Sequence, residues 1–373
     1  MGISKKREKG IFPGKNKGIL EVSSAIRHYY GLECAYEPDP DVSAWLEKNA
    51  FRCVIVFLID GMGSSILDAH KEETPFIHKY RIKDTETVFP PTTTAATTAL
   101  LTGKSPKETG WLGWNQHFSE KNDQIILFRD ISQYGEGCYP GFARGTLPVT
   151  VIFEELNKKG IKADSVWPFF GRTNACDSYQ EMIETTATLA KDPEMRFLYV
   201  YWDAFDTFLH RNGPSSPMTG KILKEIDEEL AKMTSELPGD TGMIVLADHS
   251  QVDAVHYHLD EDAELNACLL YPPSIEQRAA ALFIRPEKKD IFSELFRRKL
   301  GDAFVLYSKE EVLNSNLFGE GEAHPRFAEF IGDYLAVAIT PLQLDYGVGT
   351  AVKGNHAGGM EEERIIPVIL YPQ

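Results

Sequence analysis

Residues 54–63, VIVFLIDGMG, join a short, unbroken apolar run to an aspartate and two glycines. A run of this length, rich in β-branched residues, is typical of a strand buried on both faces, as in a parallel sheet. Similar apolar runs recur at 162–167, 197–202, 243–247, 333–339 and 365–371. Helical patterns alternate with these runs. The sequence therefore predicts an α/β fold with a largely parallel central sheet and helices on both faces.

Two segments show the apolar spacing of amphipathic helices. Between the third and fourth strands, apolar residues recur every three or four positions, which predicts a helix with one buried face. These residues are Ile222, Ile226, Leu230, Met233 and Leu237. Residues 150–160, TVIFEELNKKG, have the same pattern, and Gly160 would end that helix.

The pattern changes between residues 258 and 325. This stretch holds PPS at 272–274, a strand-like AAALFIR, a charged helix, AFVLYS and the glycine-rich LFGEGEAHP. We expect a single domain over 1–373, with a core of about 50–257 and 326–373 and a small inserted α/β cap subdomain at 258–325. Such a unit could act as a lid.

The charge balance bears on the partners of the protein. The 373-residue chain has 39 basic and 55 acidic residues and a formal net charge of −16, and the basic run KKREK at 5–9 reads as a solvated tail. Binding of nucleic acid independent of sequence needs concentrated positive charge, so we expect no nucleic-acid partner. An acidic protein that handles phosphates must neutralise them locally, with metal ions or backbone dipoles.

Cysteine usage and hydropathy indicate a soluble protein of a reducing compartment. The five cysteines are scattered and form no CxxC pair, so neither a disulfide framework nor a thiolate metal site is predicted. The longest apolar run, at 53–59, is too short to span a bilayer, and no secretory signal pattern opens the chain. We expect a cytoplasmic location and no membrane partner. The sequence carries no signal for the oligomeric state.

Carboxylates and histidines follow the predicted strands. They are Asp60, then Asp203, Asp206 and His210, then Asp248 and His249, and finally His356 in the turn GNHAGG. Ligands of open parallel sheets collect at the carboxyl ends of the strands, so these side chains are expected at one edge of the sheet.

Each of these groups has a plain structural alternative. Asp60 could cap the next helix, the pair Asp206 and His210 could lie on a helix surface, and His356 could be a turn histidine. Their combination favours a metal centre, because unpaired ionisable groups packed together pay heavily in desolvation and repulsion unless cations bind among them. Oxygen and nitrogen ligands without sulfur suit Zn²⁺, with Mn²⁺ as an alternative, and seven ligands suit two ions.

The stretch VFPPTTTAATTALLTG at 88–103 places several threonines where a strand-like run gives way to a helical one. Local capping and strand propensity would explain such a junction without chemistry. Beside a metal centre, however, a hydroxyl at a helix N-terminus could be deprotonated on Zn²⁺ and become a nucleophile. Phosphorus is the natural target of such an alkoxide.

The order of these motifs resembles the alkaline phosphatase superfamily, and within it the type I phosphodiesterase/nucleotide pyrophosphatase branch. The matching segments are FLIDGMG (57–63), VFPPTTTAATTALLTGKSPKETG (88–110), YWDAFDTFLHRNGP (201–214), ADHSQVD (247–253) and GNHAGG (354–359). The resemblance spans almost the whole core. It implies a metal-dependent hydrolase of phosphodiester or pyrophosphate bonds in small nucleotide-type phosphate esters, acting through a covalent phosphothreonine.

The family roles carry over residue by residue. Thr93 matches the nucleophile, nine residues before the TG at 102–103. The ligands of the first metal would be Asp60, Thr93, Asp248 and His249. The ligands of the second metal would be Asp206, His210 and His356, and Asp203 would not be a ligand. Thr92 and Thr94 are expected to be structural.

Two positions depart from the branch pattern. The asparagine that helps to hold a phosphoryl oxygen falls on Trp114 here, and Asn115 follows it, so Asn115 becomes the candidate phosphate contact. The asparagine three residues past the nucleophile is Ala96. These changes leave the ligand set complete and bear on the choice of substrate.

Other activities remain open at this stage. A phosphomonoesterase or phosphonate hydrolase of the same superfamily would need a cation for a doubly charged phosphoryl group, and Arg129, Arg144 and Arg172 are candidates by position. A non-catalytic metal- or nucleotide-binding relative is a further alternative. The sulfatase alternative is rejected, because CYPGFAR at 138–144 has the wrong spacing for a formylglycine motif.

Aromatic residues lie close after the threonine-rich helix. Trp111, Trp114 and Phe118 could stack a base or a sugar ring, although apolar aromatic residues in such a place more often belong to the core.

Overall fold

A computed structural model describes residues 18–167, 174–347 and 352–373. The strands of this part of the chain are β1 (Cys53–Ile59), β2 (Arg81–Glu86), β3 (Asn115–Phe118), β4 (Asp123–Ile126), β5 (Ile131–Ser132), β6 (Ala163–Val166), β7 (Phe197–Trp202), β8 (Thr241–Leu246), β9 (Val252–Asp253), β10 (Val255–His258), β11 (Ser274–Ile275), β12 (Ala279–Leu282), β13 (Phe304–Ser308), β14 (Tyr334–Ala338), β15 (Leu342–Asp345), β16 (Gly354–Asn355) and β17 (Ile365–Tyr371).

Helices connect most of these strands. The α-helices are Gly18–Tyr29, Pro40–Asn49, Ser64–Ala69, Pro75–Tyr80, Thr93–Thr102, Pro106–Thr109, Phe142–Thr146, Ile152–Lys158, Tyr179–Ala190, Ala204–Asn212, Thr219–Glu236, Ala263–Asn266, Lys289–Leu300, Lys309–Leu313, Phe327–Phe330 and Glu361–Arg364, with a short 3₁₀ turn at Pro286–Lys288. None of the helices in the described ranges has the length and apolar character needed to cross a membrane.

The main sheet has six strands in the order β2-β17-β8-β1-β7-β6. β1 lies parallel to β7 and to β8, and β6 lies parallel to β7, whereas β17 runs antiparallel to both β8 and β2. All seven residues of β1 are buried, as expected for a central strand covered on both faces. The predicted α/β fold with a largely parallel central sheet is confirmed.

The two predicted helices are present. The periodic apolar residues between β7 and β8 form helix Thr219–Glu236, whose buried face includes Ile226, Leu230 and Met233. Helix Ile152–Lys158 ends just before Gly160, which has a φ of 75°.

A second sheet of seven strands, in the order β13-β14-β12-β11-β3-β4-β5, is antiparallel throughout. The run at 333–339, expected in the parallel sheet, forms β14 of this second sheet instead. An apolar strand is buried whether it belongs to the parallel or to the antiparallel sheet, so hydropathy alone does not show which sheet this strand joins. The second sheet combines 115–132 with 274–338 and therefore extends beyond the 258–325 segment on both sides.

Local contacts explain the glycines that follow β1. Gly63 lies against Ser250, in the loop after β8, so closely that a Cβ atom there would stand 2.0 Å from the Ser250 Cβ. Gly61 adopts a φ of 75° beside Asp206. The DGMG turn thus allows the loops after β1, β7 and β8 to meet at one edge of the sheet.

Candidate active site

Three neighbouring strands deliver the predicted carboxylates to one edge of the main sheet. Asp60 follows β1 directly, and Asp248 follows β8 after one residue. Asp206 lies on helix Ala204–Asn212, which begins two residues after the end of β7. Because these strands are parallel neighbours, their carboxyl ends coincide.

The first cluster consists of Asp60, Asp248 and His249, whose candidate ligand atoms all lie within 4.8 Å of one another. His249 Nε2 is 3.2 Å from Asp60 Oδ1. The Thr93 hydroxyl oxygen lies 3.2 Å from Asp60 Oδ2 and 3.1 Å from His249 Nε2. The structure therefore places Thr93 in direct contact with this cluster.

The second cluster consists of Asp206, His210 and His356, again with ligand atoms within 4.8 Å of one another. His210 Nε2 is 3.2 Å from Asp206 Oδ2, one helical turn away. His356 comes from the turn after β16, and its ring stacks on that of His249 with centroids 3.8 Å apart. The two clusters are therefore adjacent.

The orientation of the three histidines is set by main-chain carbonyls. The Nδ1 atoms of His210, His249 and His356 lie 2.9, 3.3 and 3.1 Å from the carbonyl oxygens of Gly354, Ser250 and Pro91. A carbonyl can only accept a hydrogen bond, so each Nδ1 is the protonated donor and each Nε2 keeps its lone pair for a ligand. This is the usual outer support of metal-binding histidines.

The carboxylates are held under electrostatic strain. Burial, together with the nearby Asp206 and Asp248 charges, raises the pKa of Asp60 well above its ordinary value. Burial also raises the pKa of Asp248. For Asp206, burial acts in the same direction, but the attraction of His210 outweighs it and lowers the pKa.

One carboxylate oxygen is suited to bind a cation. Asp248 Oδ2 is buried and finds no hydrogen-bond donor among the described residues. Buried charged oxygens are normally paired or bound to a metal. The donor set of carboxylate oxygens, a hydroxyl and imidazole nitrogens thus fits divalent cations.

The threonine-rich segment forms helix Thr93–Thr102, with Thr93 as its first residue and Thr92 in extended conformation before it. The Thr92 hydroxyl does not cap the helix; it donates to Glu276 Oε1 over 2.5 Å. The Thr97 hydroxyl donates to the Thr93 carbonyl, and the Thr102 hydroxyl donates to the Thr98 carbonyl. These hydroxyls are structural, as predicted for Thr92.

Three residues near the clusters had no role assigned from the sequence, although Tyr201 and Gln251 lie within the matching segments 201–214 and 247–253. Tyr201, within the apolar run of β7, donates its phenol to Asp60 Oδ2. Gln251 Nε2 donates to Asp206 Oδ1 over 2.5 Å. Glu276, which follows β11 in the second sheet, accepts the Thr92 hydroxyl and the Trp114 N–H, and burial raises its pKa to about 7. Glu276 lies outside the matching segments, so only the tertiary fold brings it to the site.

A cavity of about 190 Å³ opens beside Thr93. The residues that line it are Asp60, Thr93, Trp114, Phe128, Arg129, Trp167, Ala175, Tyr201, Asp203, Asp206 and Thr207. The lining thus combines carboxylates and the Thr93 hydroxyl with several aromatic residues.

The lining shows which of the candidate phosphate-contacting and aromatic residues lie at the cavity. Asn115 is buried on β3 and is not among the described residues that line the cavity, whereas its neighbour Trp114 is. A position one residue along a strand turns the side chain to the other face, which accounts for the difference. Trp111 and Phe118 are core residues, 1% and 0% exposed.

The three candidate arginines differ in their position relative to the cavity. Arg129 lines the cavity. Arg144 pairs with Glu154 at 2.5 Å and is not among the lining residues of the described chain. Arg172 lies outside the described residues.

The clusters, the threonine and the cavity together define a phosphohydrolase fold and site, and comparison with known proteins gives the family. The sequence model of the type I phosphodiesterase/nucleotide pyrophosphatase family matches residues 54–338. The chain belongs to this family and is a phosphohydrolase of its type. A comparison with curated protein sequences gives no significant match.

Solved structures of ectonucleotide pyrophosphatase/phosphodiesterase 5 share the fold. The murine protein, as an inactive variant in complex with AMP, matches at 17% identity and a TM-score of 0.67, covering 85% of this chain and 87% of its own. The human protein matches at 18% identity and a TM-score of 0.66, covering 86% and 87%.

Proposed function

We propose that this protein is a metal-dependent hydrolase of phosphodiester or pyrophosphate bonds in nucleotide-type substrates, acting through a covalent phosphothreonine at Thr93. The observation that carries the proposal is the position of the Thr93 hydroxyl. It stands 3.1 Å from His249 Nε2, at the first residue of a helix, and lines the cavity.

The residues divide into two cation sites. Asp60, Asp248 and His249, with the Thr93 hydroxyl, would hold one ion, and the cluster of Asp206, His210 and His356 would hold the second. Nitrogen and oxygen ligands without thiolate favour Zn²⁺, with Mn²⁺ as the alternative. When bound, such cations lower the pKa of a coordinated hydroxyl or water and neutralise charge that develops on phosphoryl oxygens.

Thr93 acts as the nucleophile in this scheme. Its hydroxyl loses its proton to solvent, and Oγ1 then attacks phosphorus in line with the departing oxygen. The new P–Oγ1 bond forms as the bond to the leaving alcohol or phosphate breaks, and the leaving oxygen takes up a proton. Water later cleaves the phosphothreonine, releases the phosphate product and restores the Thr93 hydroxyl.

The position of Thr93 also supplies local electrostatic help. The first N–H groups of helix Thr93–Thr102 have no partner within the helix, and the positive end of the helix dipole lies beside the reacting group. Both features favour a negatively charged phosphoryl group.

The aromatic residues that line the cavity support a nucleotide-type substrate. Trp114, Phe128, Trp167 and Tyr201 line it, and such rings can stack on a base or sugar. The murine relative with a similar fold was solved in complex with AMP, which agrees with this substrate class.

Substitution of the nucleophile tests the proposal. With Zn²⁺ supplied, the wild-type protein should hydrolyse bis-(p-nitrophenyl) phosphate, and Thr93→Ala should lower kcat by at least about 1,000-fold, because the residues that remain cannot form the covalent intermediate. Thr93→Ser, which keeps a hydroxyl, should retain measurable activity. Mass spectrometry of the quenched wild-type reaction should detect a p-nitrophenyl phosphoryl group on Thr93, since only one of the two p-nitrophenolate groups leaves when the covalent intermediate forms.

The zinc content of each variant is the control. Thr93→Ala should still bind zinc, since six of the seven proposed ligands remain. Equal turnover by the wild-type and Thr93→Ala proteins would remove Thr93 from the mechanism.

A further inference from the structure

Among the described residues that line the cavity, Arg129 is the single cation, and Asp60, Thr93 and Asp206 of the two clusters line the same cavity. Arg129 follows β4, where the N–H groups of Arg129 and Asp130 both donate to the Ile126 carbonyl, at 3.1 and 2.8 Å. The adjacent Leu127 N–H donates to the Trp114 carbonyl over 3.0 Å. The turn that presents Arg129 is therefore held to the same strand pair as Trp114.

Among the residues that the structure describes, none supplies a carboxylate partner to the guanidinium of Arg129. Elsewhere in the chain, Arg27, Arg52 and Arg326 each pair with a carboxylate at 3.0, 2.8 and 2.7 Å. In the parts of the chain that the structure describes, the recorded contact of the Arg129 side chain is with the ring of Trp114, at 5.2 Å from its centroid. Stacking on an aromatic ring holds the guanidinium in place and leaves its N–H donors free.

A free guanidinium in this place has a specific chemical preference. Its planar array of donors matches the oxygens of a phosphate, which it can bind through two parallel hydrogen bonds. The scissile phosphoryl group itself would lie at Thr93, which lines the same cavity as Arg129. An arginine in this cavity, outside both proposed cation sites, suits a second negative charge on the substrate.

We propose that Arg129 is a specificity-determining residue that binds a second negative charge of the substrate, and that the preferred substrates are doubly or multiply charged phosphates. The charge is carried by a phosphate next to the scissile one, as in a nucleoside di- or triphosphate, or by the scissile group itself, as in a monoester dianion. This inference rests on the proposed function above, because it places the scissile group at Thr93.

Substrates that differ in charge test the role of Arg129. With zinc-loaded full-length protein, kcat/KM is measured for ATP, for p-nitrophenyl phosphate and for the singly charged bis-(p-nitrophenyl) phosphate. Arg129→Ala should lower kcat/KM by about 10- to 100-fold on at least one of the first two and change the third by less than about threefold. A loss on ATP assigns the charge to a neighbouring phosphate; a loss on p-nitrophenyl phosphate assigns it to the scissile group.

Lys121→Ala provides a matched control. Lys121 is an exposed cation in the turn between β3 and β4, but it contacts Tyr139 and Phe142 instead of the cavity. Its removal lowers the net positive charge of the same strand pair by the same amount and should leave all three values unchanged. Arg129→Lys keeps the positive charge but cannot form two parallel hydrogen bonds to a phosphate. Its kcat/KM for the affected substrate should lie between the values of wild type and Arg129→Ala.

The outcomes separate the two proposals. An equal loss on all three substrates, or no loss on any, would overturn the role of Arg129. Calorimetric binding of ADP to Thr93→Ala protein gives a readout that needs no turnover: adding Arg129→Ala should weaken ADP binding at least about tenfold. If the wild-type protein hydrolyses nothing but this weakening is observed, the proposed reaction fails while the binding site for the second charge stands.

Discussion

Glu363 shows how one residue secures the loop that carries His356. Its carboxylate accepts two hydrogen bonds from Arg278, both of 2.7 Å, and also the Gly358 N–H over 2.8 Å. The Arg278 and Glu363 side chains are both 0% exposed. Arg278 also donates to the Thr340 carbonyl over 2.9 Å, so the pair joins the His356 loop to the end of β14.

Loss of this carboxylate should strongly destabilise the protein. Glu363→Gln leaves the charge of Arg278 buried without a counter-charge, which costs about 3–5 kcal/mol in comparable buried pairs. The measurement is the free energy of unfolding from urea titration. Glu361→Gln, on the same short helix but with a carboxylate that is 77% exposed, is the control and should change it little.

A double variant keeps this prediction testable if Glu363→Gln fails to fold. Replacing both partners, as in Arg278→Met with Glu363→Leu, removes both charges and should recover much of the lost stability. A single variant as stable as the wild type would contradict the stabilising role of the Arg278–Glu363 pair.

At the residue scale, the sequence predicted the chemistry-bearing groups better than their supports. The six candidate carboxylate and imidazole groups follow from motifs at strand ends and in the GNHAGG turn, whereas Thr93 follows from the family resemblance. The structure brings all seven together. Tyr201, Glu276 and Arg278 reach the site region through contacts between residues far apart in sequence. No local pattern distinguishes them from ordinary strand or loop residues.

At the element scale, the loops after β1 and β8 must pack closely for the first cluster to form. Gly63 and Ser250 meet at this point, and a Cβ on Gly63 would lie 2.0 Å from that of Ser250. The separation is far below any real contact between these atoms, so a larger residue must push the two loops apart.

Gly63→Ala should therefore disrupt the first cluster without touching a ligand. We expect kcat/KM for bis-(p-nitrophenyl) phosphate to fall by about tenfold or more, because a displacement of the order of 1 Å at a reacting centre can cost that much. Gly239→Ala is a suitable control, since a Cβ at that exposed glycine meets nothing within 4 Å. Unchanged activity in Gly63→Ala would show that the loops can separate without cost.

The strands illustrate which elements a sequence reveals. β1, β7 and β8 are long apolar runs, so their positions were predicted closely. Strands β3 and β4 have only four residues each and include polar side chains, and their pairing depends on partners far along the chain. The second sheet was therefore only partly visible before the structure.

For the whole molecule, the carboxylates at the sheet edge link metal binding to stability. A ligand that binds only the folded state stabilises it by about 2.7 kcal/mol at a concentration 100 times its Kd. For a chain of 373 residues that corresponds to a rise in Tm of roughly 3–4 °C. Addition of Zn²⁺ to chelator-treated protein should produce such a rise in a thermal melt.

Two variants identify where the zinc acts. In a protein that combines Asp248→Asn with His356→Ala, which weakens both clusters, the rise in Tm should be largely lost. His256→Ala should keep it, because His256 pairs with Asp345 at 2.7 Å but belongs to neither cluster. A wild-type protein whose Tm does not respond to Zn²⁺ or Mn²⁺ would contradict the two-metal proposal.

The cysteines bear on the compartment in which the protein works. All five are free thiols, and Cys138 is exposed. This agrees with the absence of a disulfide framework predicted from their spacing, and a cytoplasmic location stays a prediction. Fractionation of the native host cells would test it.

The two sheets contribute different parts of the cavity, and this division affects how the protein can change over time. The groups proposed to hold the metals follow strands of the parallel sheet or lie in the His356 turn, whereas Trp114, Phe128 and Arg129 flank β3 and β4 of the antiparallel sheet. Substitutions of these three side chains leave the residues proposed to hold the metals unchanged. Homologous proteins could thus diverge in substrate preference while they keep the same metal-binding residues and nucleophile. A library randomised at these three positions should therefore yield variants with altered substrate selectivity.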